Sequence, residues 1–154
     1  MQDIDHIQSF TDTMAKFTAY FGKHLPDDVV EKLTELRKEQ TSEISKIIYD
    51  AMFVDLELAK ERNVPACQDT GVIQYIVQMG ANFPIRNELE ACLREAVKRA
   101  TKEAPLRHNA VQIFDEKNTG NNTGVKIPWI DIEIIPDSDE CTIYGYMAGG
   151  GCSL

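Results

Sequence analysis

The sequence lacks the features of a secreted or membrane-bound protein. It has 4 cysteines in 154 residues, and none of them forms a Cys-x-x-Cys pair. The N-terminus carries Asp3 and Asp5 where a signal peptide needs basic residues, and no apolar run approaches the length of a membrane span. These absences argue against a disulfide-stabilised or membrane protein. They predict reduced thiols and a cytoplasmic location.

The sequence also has few basic residues. Lysine and arginine number 16 against 25 aspartate and glutamate residues, which gives a net charge of −9, and no cluster of five or more basic residues occurs. This composition argues against a nucleic-acid-binding surface. An acidic protein that binds an anion needs local positive charge, so individual arginines become candidates for binding. The hydrophobic fraction of 43% is enough for one globular domain with a core.

The glycine run Gly149–Gly151 does not match a known nucleotide-binding motif. It lacks the spacing of the dinucleotide fingerprint and the Lys-Ser/Thr ending of a phosphate loop. Three glycines let a ligand approach the backbone closely and offer amide donors to an anion. A simple glycine-rich turn is the alternative interpretation.

The hydrophobic periodicity predicts an α+β fold. Three segments with helical spacing occupy residues 1–62, and we interpret their apolar stripes as core: Ile4 to Phe21, Val29 to Leu36, and Ile44 to Leu56. From Gly71 the period changes to that of a strand, which continues to Met79. A helix from about Asn87 to Lys102 follows, with Cys92 on its apolar face, and two strands are predicted at Trp129 to Ile135 and Cys141 to Met147. Helices come first and strands later, so we expect an α+β arrangement with a helical part, 1–62, and a strand-containing site region, 63–154.

Two loops carry the residues that can do chemistry. The loop before the first strand places a thiol, an amide and a carboxylate side by side at Cys67, Gln68 and Asp69, and a thiolate is a ligand for iron. The loop after the fourth helix contains Arg107, whose guanidinium can bind a carboxylate through two parallel hydrogen bonds. An arginine is also favoured near any helix C-terminus, and the neighbouring His108 is a weaker candidate for a general acid or base.

These motifs together resemble the iron–sulfur hydro-lyases of the class I fumarase and L-tartrate dehydratase type. The resemblance lies in four ordered stretches: Ala66–Gly71 (Ala-Cys-Gln-Asp-Thr-Gly), Leu106-Arg107, Asn118-Thr119-Gly120, and Tyr146–Cys152 (Tyr-Met-Ala-Gly-Gly-Gly-Cys). It extends over most of the chain from the second helix onward. Class I fumarases usually have Lys-Gly-Gly-Gly-Ser at the last stretch, so Ala148 and Cys152 favour the tartrate dehydratase branch.

The resemblance implies a role for each matching residue. Cys67 matches one of three cysteine ligands to a 4Fe–4S cluster. Gln68 and Asp69 match residues lining the substrate site, Arg107 matches an arginine that binds a substrate carboxylate, and Gly149, Gly150 and Gly151 match a glycine turn against the same substrate. The implied reaction is dehydration of a 2-hydroxy dicarboxylate, with L(+)-tartrate giving oxaloacetate and water.

The resemblance also implies what residues 1–154 do not supply. Chains of this type are about twice as long, and the two remaining cluster cysteines match none of Cys92, Cys141 and Cys152. The catalytic base is expected in a beta subunit or a further domain, and a homo- or hetero-oligomer is expected. Residues 1–154 are therefore interpreted as the N-terminal portion of such an alpha chain, inactive alone. The alternatives are a class I fumarase acting on malate and fumarate, or a truncated non-catalytic partner subunit.

Overall fold

The computed structural model describes residues 2–67 and 69–149 as four helices and three strands. In chain order the elements are α1 (Gln2–Phe21), α2 (Asp27–Glu39), α3 (Glu43–Arg62), β1 (Val72–Gly80), α4 (Leu89–Glu103), β2 (Trp129–Ile135) and β3 (Cys141–Ala148). The α+β class is confirmed. None of the described helices is long and apolar enough to cross a bilayer.

The strands form a mixed sheet in the order β2-β1-β3. β1 pairs in parallel with β2 and antiparallel with β3, so the parallel connection runs through α4. Residues Ile73, Tyr75, Val77 and Met79 of β1 all point to one face and are at most 3% exposed. Their neighbours in sequence point to the opposite face, which no described helix covers. The strand pattern predicted from the sequence for β1 therefore reflects a sheet that is buried on one face only.

The core lies between this face of the sheet and the helices α1 and α4. α4 contributes an apolar stripe whose members include Leu89, Leu93 and Val97, each with 0% exposure. α1 contributes Met14, Ala15 and Ala19 on its inner side, with phenylalanines at the edge of the cluster. Cys92 belongs to the buried stripe of α4, as the sequence predicted.

The interpretation of the second and third helices as core elements is wrong for the described part of the chain. α2 has no buried residue, and in α3 only Ala59 is buried. Ile44 and Ile47 of α3 are 72% and 67% exposed. The two helices pack on each other through Arg37, which pairs with Asp50 at 2.5 Å and lies over the Phe53 ring at 5.1 Å. Helical spacing identifies an apolar stripe, but it contains no information about what covers that stripe.

Candidate functional site

The loop that carries the candidate thiol is shaped by hydrogen bonds of Asp69. The Asp69 amide donates to Cys67 Sγ at 3.4 Å, and Asp69 Oδ1 accepts from the Gly71 amide at 3.1 Å. The second bond is the side-chain turn that aspartate often forms with the backbone two residues on. Gly71 has φ of +60°, and β1 begins at the next residue. The loop therefore presents Cys67 and Asp69 immediately before the central strand.

Glycines are required where β1 begins beside the end of β3. A Cβ atom on Gly71 would lie 1.9 Å from the Ala148 carbonyl oxygen, which no rearrangement of a side chain relieves. A Cβ on Gly149 would lie 3.1 Å from Asp69 Oδ2. Gly149, the residue that follows β3, therefore lies directly against the Asp69 carboxylate.

A cavity of about 620 Å³ opens between this loop, the end of α1 and the end of β3. Its wall is mostly apolar, with Phe17, Phe21 and Met147 among its members. The polar or charged residues in the wall are Tyr20, Lys23, His24, Cys67, Asp69 and Tyr146. An apolar pocket with a few convergent polar groups is the usual form of a small-molecule site.

Cys67 is the cysteine best placed for chemistry among the described ones. It is exposed and lines the cavity, whereas Cys92 is buried in α4. Cys141 stands at the opposite end of β3, and burial raises the pKa of its thiol. Within residues 2–67 and 69–149, no three His, Cys, Asp or Glu side chains form a group that could hold a metal ion. The described residues thus supply one cysteine ligand at this cavity.

The loop that carries Arg107 is joined to the thiol loop through Asn109. Asn109 Nδ2 donates to Asp69 Oδ1 at 3.3 Å. Arg107 itself is exposed, is not part of the cavity wall, and makes no ion pair with any residue the structure describes. The structure therefore brings Cys67, Asp69 and Gly149 together at one cavity. Arg107 lies outside the cavity wall, two residues before Asn109, which contacts the Asp69 carboxylate.

Comparison with known proteins assigns the family. The model of the family described as fumarate hydratase (Fumerase) matches residues 11–154. The chain belongs to the fumarate hydratase family. The resemblance read from the motifs is confirmed at this level.

Relatives within the fumarate hydratase family include bacterial and archaeal proteins. The chain is 51% identical over 148 residues to the L(+)-tartrate dehydratase subunit alpha of Escherichia coli (strain K12), which covers 96% of this chain and 49% of the relative. The same identity holds for the corresponding subunit of Shigella sonnei (strain Ss046). A putative L(+)-tartrate dehydratase subunit alpha of Methanocaldococcus jannaschii is 37% identical over 131 residues, 83% of this chain and 46% of the relative. The chain thus spans about half the length of these relatives.

Three substrate-site residues assigned from the family resemblance, Gln68, Gly150 and Gly151, lie outside the described residues. Their assignment stays a prediction. His108 is exposed and is not part of the cavity wall. The structure thus gives no geometric support to His108 as an acid or base.

Sequence reasoning missed Lys23, His24 and Asn109 at this site. Lys23 Nζ donates to Asn63 Oδ1 at 2.7 Å. His24 Nδ1 donates to the Tyr20 carbonyl at 2.9 Å, so Nε2 is the other ring nitrogen of His24. No motif marks Lys23 and His24. They follow the end of α1, about 40 positions before Cys67 in the sequence, so their closeness to the thiol depends on the fold. Asn109 lies two positions after Arg107 in the sequence, and this closeness was the available signal.

Proposed function

We propose that this chain forms part of the active site of an iron–sulfur hydro-lyase that dehydrates a 2-hydroxy dicarboxylate, with L(+)-tartrate as the substrate. The observation that carries the proposal is the cavity itself, which joins an exposed thiol, a carboxylate and a close-packed glycine in a family of hydro-lyases. The products are oxaloacetate and water. The names of the relatives support tartrate as the substrate.

The cysteine at the cavity fits one corner of a 4Fe–4S cluster. Cys67 is exposed in a cavity large enough for a cofactor and a small substrate, and its sulfur accepts the Asp69 amide hydrogen bond that commonly accompanies cluster thiolates. When bound through three thiolates, such a cluster supplies a Lewis acid for the departing hydroxyl group. The other two thiolates are proposed to come from polypeptide beyond these 154 residues.

The chain's own residues bind and orient the substrate in this proposal. The Arg107 guanidinium binds one substrate carboxylate in the bidentate geometry that a lysine cannot supply. The Asp69 carboxylate is held by the Gly71 amide and by Asn109, so its orientation is set before the substrate enters. Gly149, with Gly150 and Gly151, lets the substrate approach the backbone. Gln68 lies next to Cys67 and is proposed to contact the substrate as well.

The reaction removes a proton and a hydroxyl group from neighbouring carbons. The proton leaves the carbon next to the second carboxylate, and the hydroxyl departs with a further proton as water. The resulting enol of oxaloacetate then takes its keto form. We assign no base to this chain, because the family resemblance places the base in a beta subunit or a further domain, and His108 is not part of the cavity wall.

The proposed assembly contains a second subunit. Relatives are named as subunit alpha, which supports a partner beta subunit that contributes the base, and a homo- or hetero-oligomer overall. We also propose a cytoplasmic location, which suits an oxygen-sensitive cluster and free cysteines such as Cys67 and Cys141.

A class I fumarase is the second candidate. The family model is described as fumarate hydratase, so malate and fumarate remain within the chemistry of the family. The same Arg107 and cluster would serve that reaction. Malate and tartrate differ by one hydroxyl group, which pocket residues must recognise.

Anaerobic assay of the complete protein that contains this chain tests the proposal. L(+)-tartrate is expected to give oxaloacetate with a higher kcat/KM than malate gives fumarate. Arg107→Lys is expected to raise KM roughly 10- to 100-fold, because a bidentate charged hydrogen bond is lost. Arg86→Lys is the control, since Arg86 is exposed and, among the described residues, its side chain bonds only the Ala81 carbonyl. A preference for malate would establish the fumarase, and absence of activity towards both acids would overturn the hydro-lyase assignment.

A further inference from the structure

The asparagine-rich segment Asn118–Gly124 has no role in the site described so far. The sequence marks it as a polar turn, and part of it belongs to the motifs of the family. Its amide side chains are directed at another loop. We call residues 118–124 the asparagine turn.

Two side chains of the asparagine turn bond the backbone on both sides of His108. Asn122 Nδ2 donates to the Arg107 carbonyl at 3.0 Å, and Asn122 Oδ1 accepts from the Asn109 amide at 2.8 Å. Asn118 Nδ2 donates to the His108 carbonyl at 2.5 Å. Every residue from Arg107 to Asn109 is therefore held by a side-chain amide across the turn.

Asn122 is a rigid anchor for these bonds. Its side chain is 2% exposed, its φ is +56°, and its Nδ2 also donates to Thr101 Oγ1 in α4 at 3.3 Å. A left-handed backbone is one that asparagine adopts more readily than most residues. A buried amide that satisfies three partners fixes both segments to the core of the domain.

The held segment is the one that connects Arg107 with the cavity. Asn109 lies within it, and its side chain donates to the Asp69 carboxylate at 3.3 Å. A continuous series of hydrogen bonds thus runs from Thr101 through Asn122 and Asn109 to Asp69. Arg107 is exposed and has no ion-pair partner in the described part of the chain, so its backbone is what restricts its position.

We propose that Asn118 and Asn122 are positioning residues that hold Arg107 relative to Asp69 for binding of one dicarboxylate. The proposal rests on the proposed function, since it concerns the same anion site. A fixed backbone lowers the entropy lost when an exposed arginine closes on its ligand, and that gain is a gain in affinity. In this role the two asparagines act on Arg107 through the backbone of residues 107–109 and not through contact with the substrate.

Matched substitutions separate positioning from folding. Asn118→Asp keeps the oxygen that accepts from the Gly120 amide at 2.8 Å and removes only the donor to His108. Asn121→Asp is the control with the same change of charge, because Asn121 uses only its oxygen, which accepts from Thr123 at 3.0 Å and 2.8 Å. Asn122→Gly suits the positive φ and removes every side-chain bond. Asn122→Asp restores the acceptor for the Asn109 amide.

Two measurements on these variants test the proposal. In the complete protein, we expect Asn118→Asp and Asn122→Gly to raise KM for the dicarboxylate about tenfold with kcat within about twofold, and Asn121→Asp to match the wild type. By hydrogen exchange, the Asn109 amide is expected to exchange at least about tenfold faster in Asn122→Gly and to recover protection in Asn122→Asp.

The outcomes distinguish this proposal from the proposed function. An active wild type with equal KM in Asn118→Asp, Asn122→Gly and Asn121→Asp would overturn the positioning role alone. A fall in kcat together with uniform loss of protection across α4 and β1 would show a purely structural role and would overturn it as well. A wild type inactive towards every 2-hydroxy dicarboxylate would instead refute the proposed function, and the positioning role with it.

Discussion

A buried pair of hydroxyl groups joins the sheet to α1. Thr18 and Tyr75 are both 0% exposed, and their side-chain oxygens are 2.5 Å apart. Thr18 donates its one hydroxyl proton to the Met14 carbonyl at 2.7 Å, so Tyr75 must be the donor between the two. Burial raises the pKa of Tyr75 above its ordinary value, which keeps the phenol neutral.

Tyr75→Phe tests this pair through the pH dependence of stability. At pH 8 the variant is expected to be less stable by about 1 kcal/mol, because Thr18 loses a donor. The folded-state pKa is raised, so this contribution is present below the unfolded pKa of about 10 and is lost as pH rises above it. Chemical denaturation from pH 8 to 11 should show the difference between wild type and variant shrinking above pH 10. A difference that stays constant over this range would contradict the raised pKa.

Gly71 and Gly120 both have positive φ, so alanine substitutions at the two positions compare backbone strain alone with backbone strain plus steric overlap. Gly71 has φ of +60° and would clash with the Ala148 carbonyl, whereas Gly120 has φ of +72° and no atom within 4 Å of the added Cβ. Gly120→Ala should cost about 1–2 kcal/mol for the left-handed backbone. Gly71→Ala should cost roughly 1–3 kcal/mol more because atoms must move apart. Equal losses in thermal or urea unfolding would show that the β1–β3 junction adapts to a side chain.

Individual cysteines show what residue-level sequence reading can achieve. Cys92 was predicted to be buried because its neighbours at helical spacing are apolar, and it is buried. The hydrogen bond from Asn109 to Asp69 joins residues 40 positions apart, and no local pattern encodes such a pairing. Three-dimensional contacts between loops were therefore the part that sequence could not supply.

At the scale of elements, α3 is an amphipathic helix whose apolar stripe is exposed. Ile47 and Ile48 have exposed fractions of 67% and 54%, whereas Leu93 of α4 has 0%. Ile47→Gln and Ile48→Gln should each change the free energy of unfolding of the chain by less than about 0.5 kcal/mol. Leu93→Ala should cost about 2–5 kcal/mol, because it removes buried apolar surface and leaves a cavity. Urea unfolding followed by circular dichroism checks all three variants. A loss of free energy of unfolding above roughly 1–2 kcal/mol for either isoleucine variant would show that α3 packs against another part of the isolated chain.

The elements themselves followed from short-range rules. α1 ends at Phe21 before Gly22, α2 begins after Pro26, and β1 runs over the segment where the period changes. These signals act within a few residues. The strand order β2-β1-β3 and the mixed pairing depend on contacts more than 50 residues apart in sequence, so periodicity alone did not determine them.

At the scale of the whole molecule, the candidate site lies at one edge of the domain. The cavity is bounded by the end of α1, the loop before β1 and the end of β3, and none of its wall residues belongs to α4. The motifs of the sequence identified Cys67, Asp69 and Gly149 because all three belong to short stretches typical of the family. The α1 residues of the same wall were not identified, since the fold brings them there from a distant segment.

The number of thiols at this edge leads to a prediction for the isolated chain. Cys67 is exposed at the cavity, Cys92 is buried, and Cys141 is at the far end of β3, so one described thiolate can reach a metal there. A 4Fe–4S cluster with an open iron position needs three. Anaerobic reconstitution of residues 1–154 with iron and sulfide should therefore give no stable cluster spectrum, and Cys67→Ser should behave as the wild type. In the complete protein the same substitution should abolish the cluster. A stoichiometric spectrum from the isolated chain that Cys67→Ser removes would show that the chain completes the ligand set by itself, for example by self-association, and would contradict the shared site proposed above.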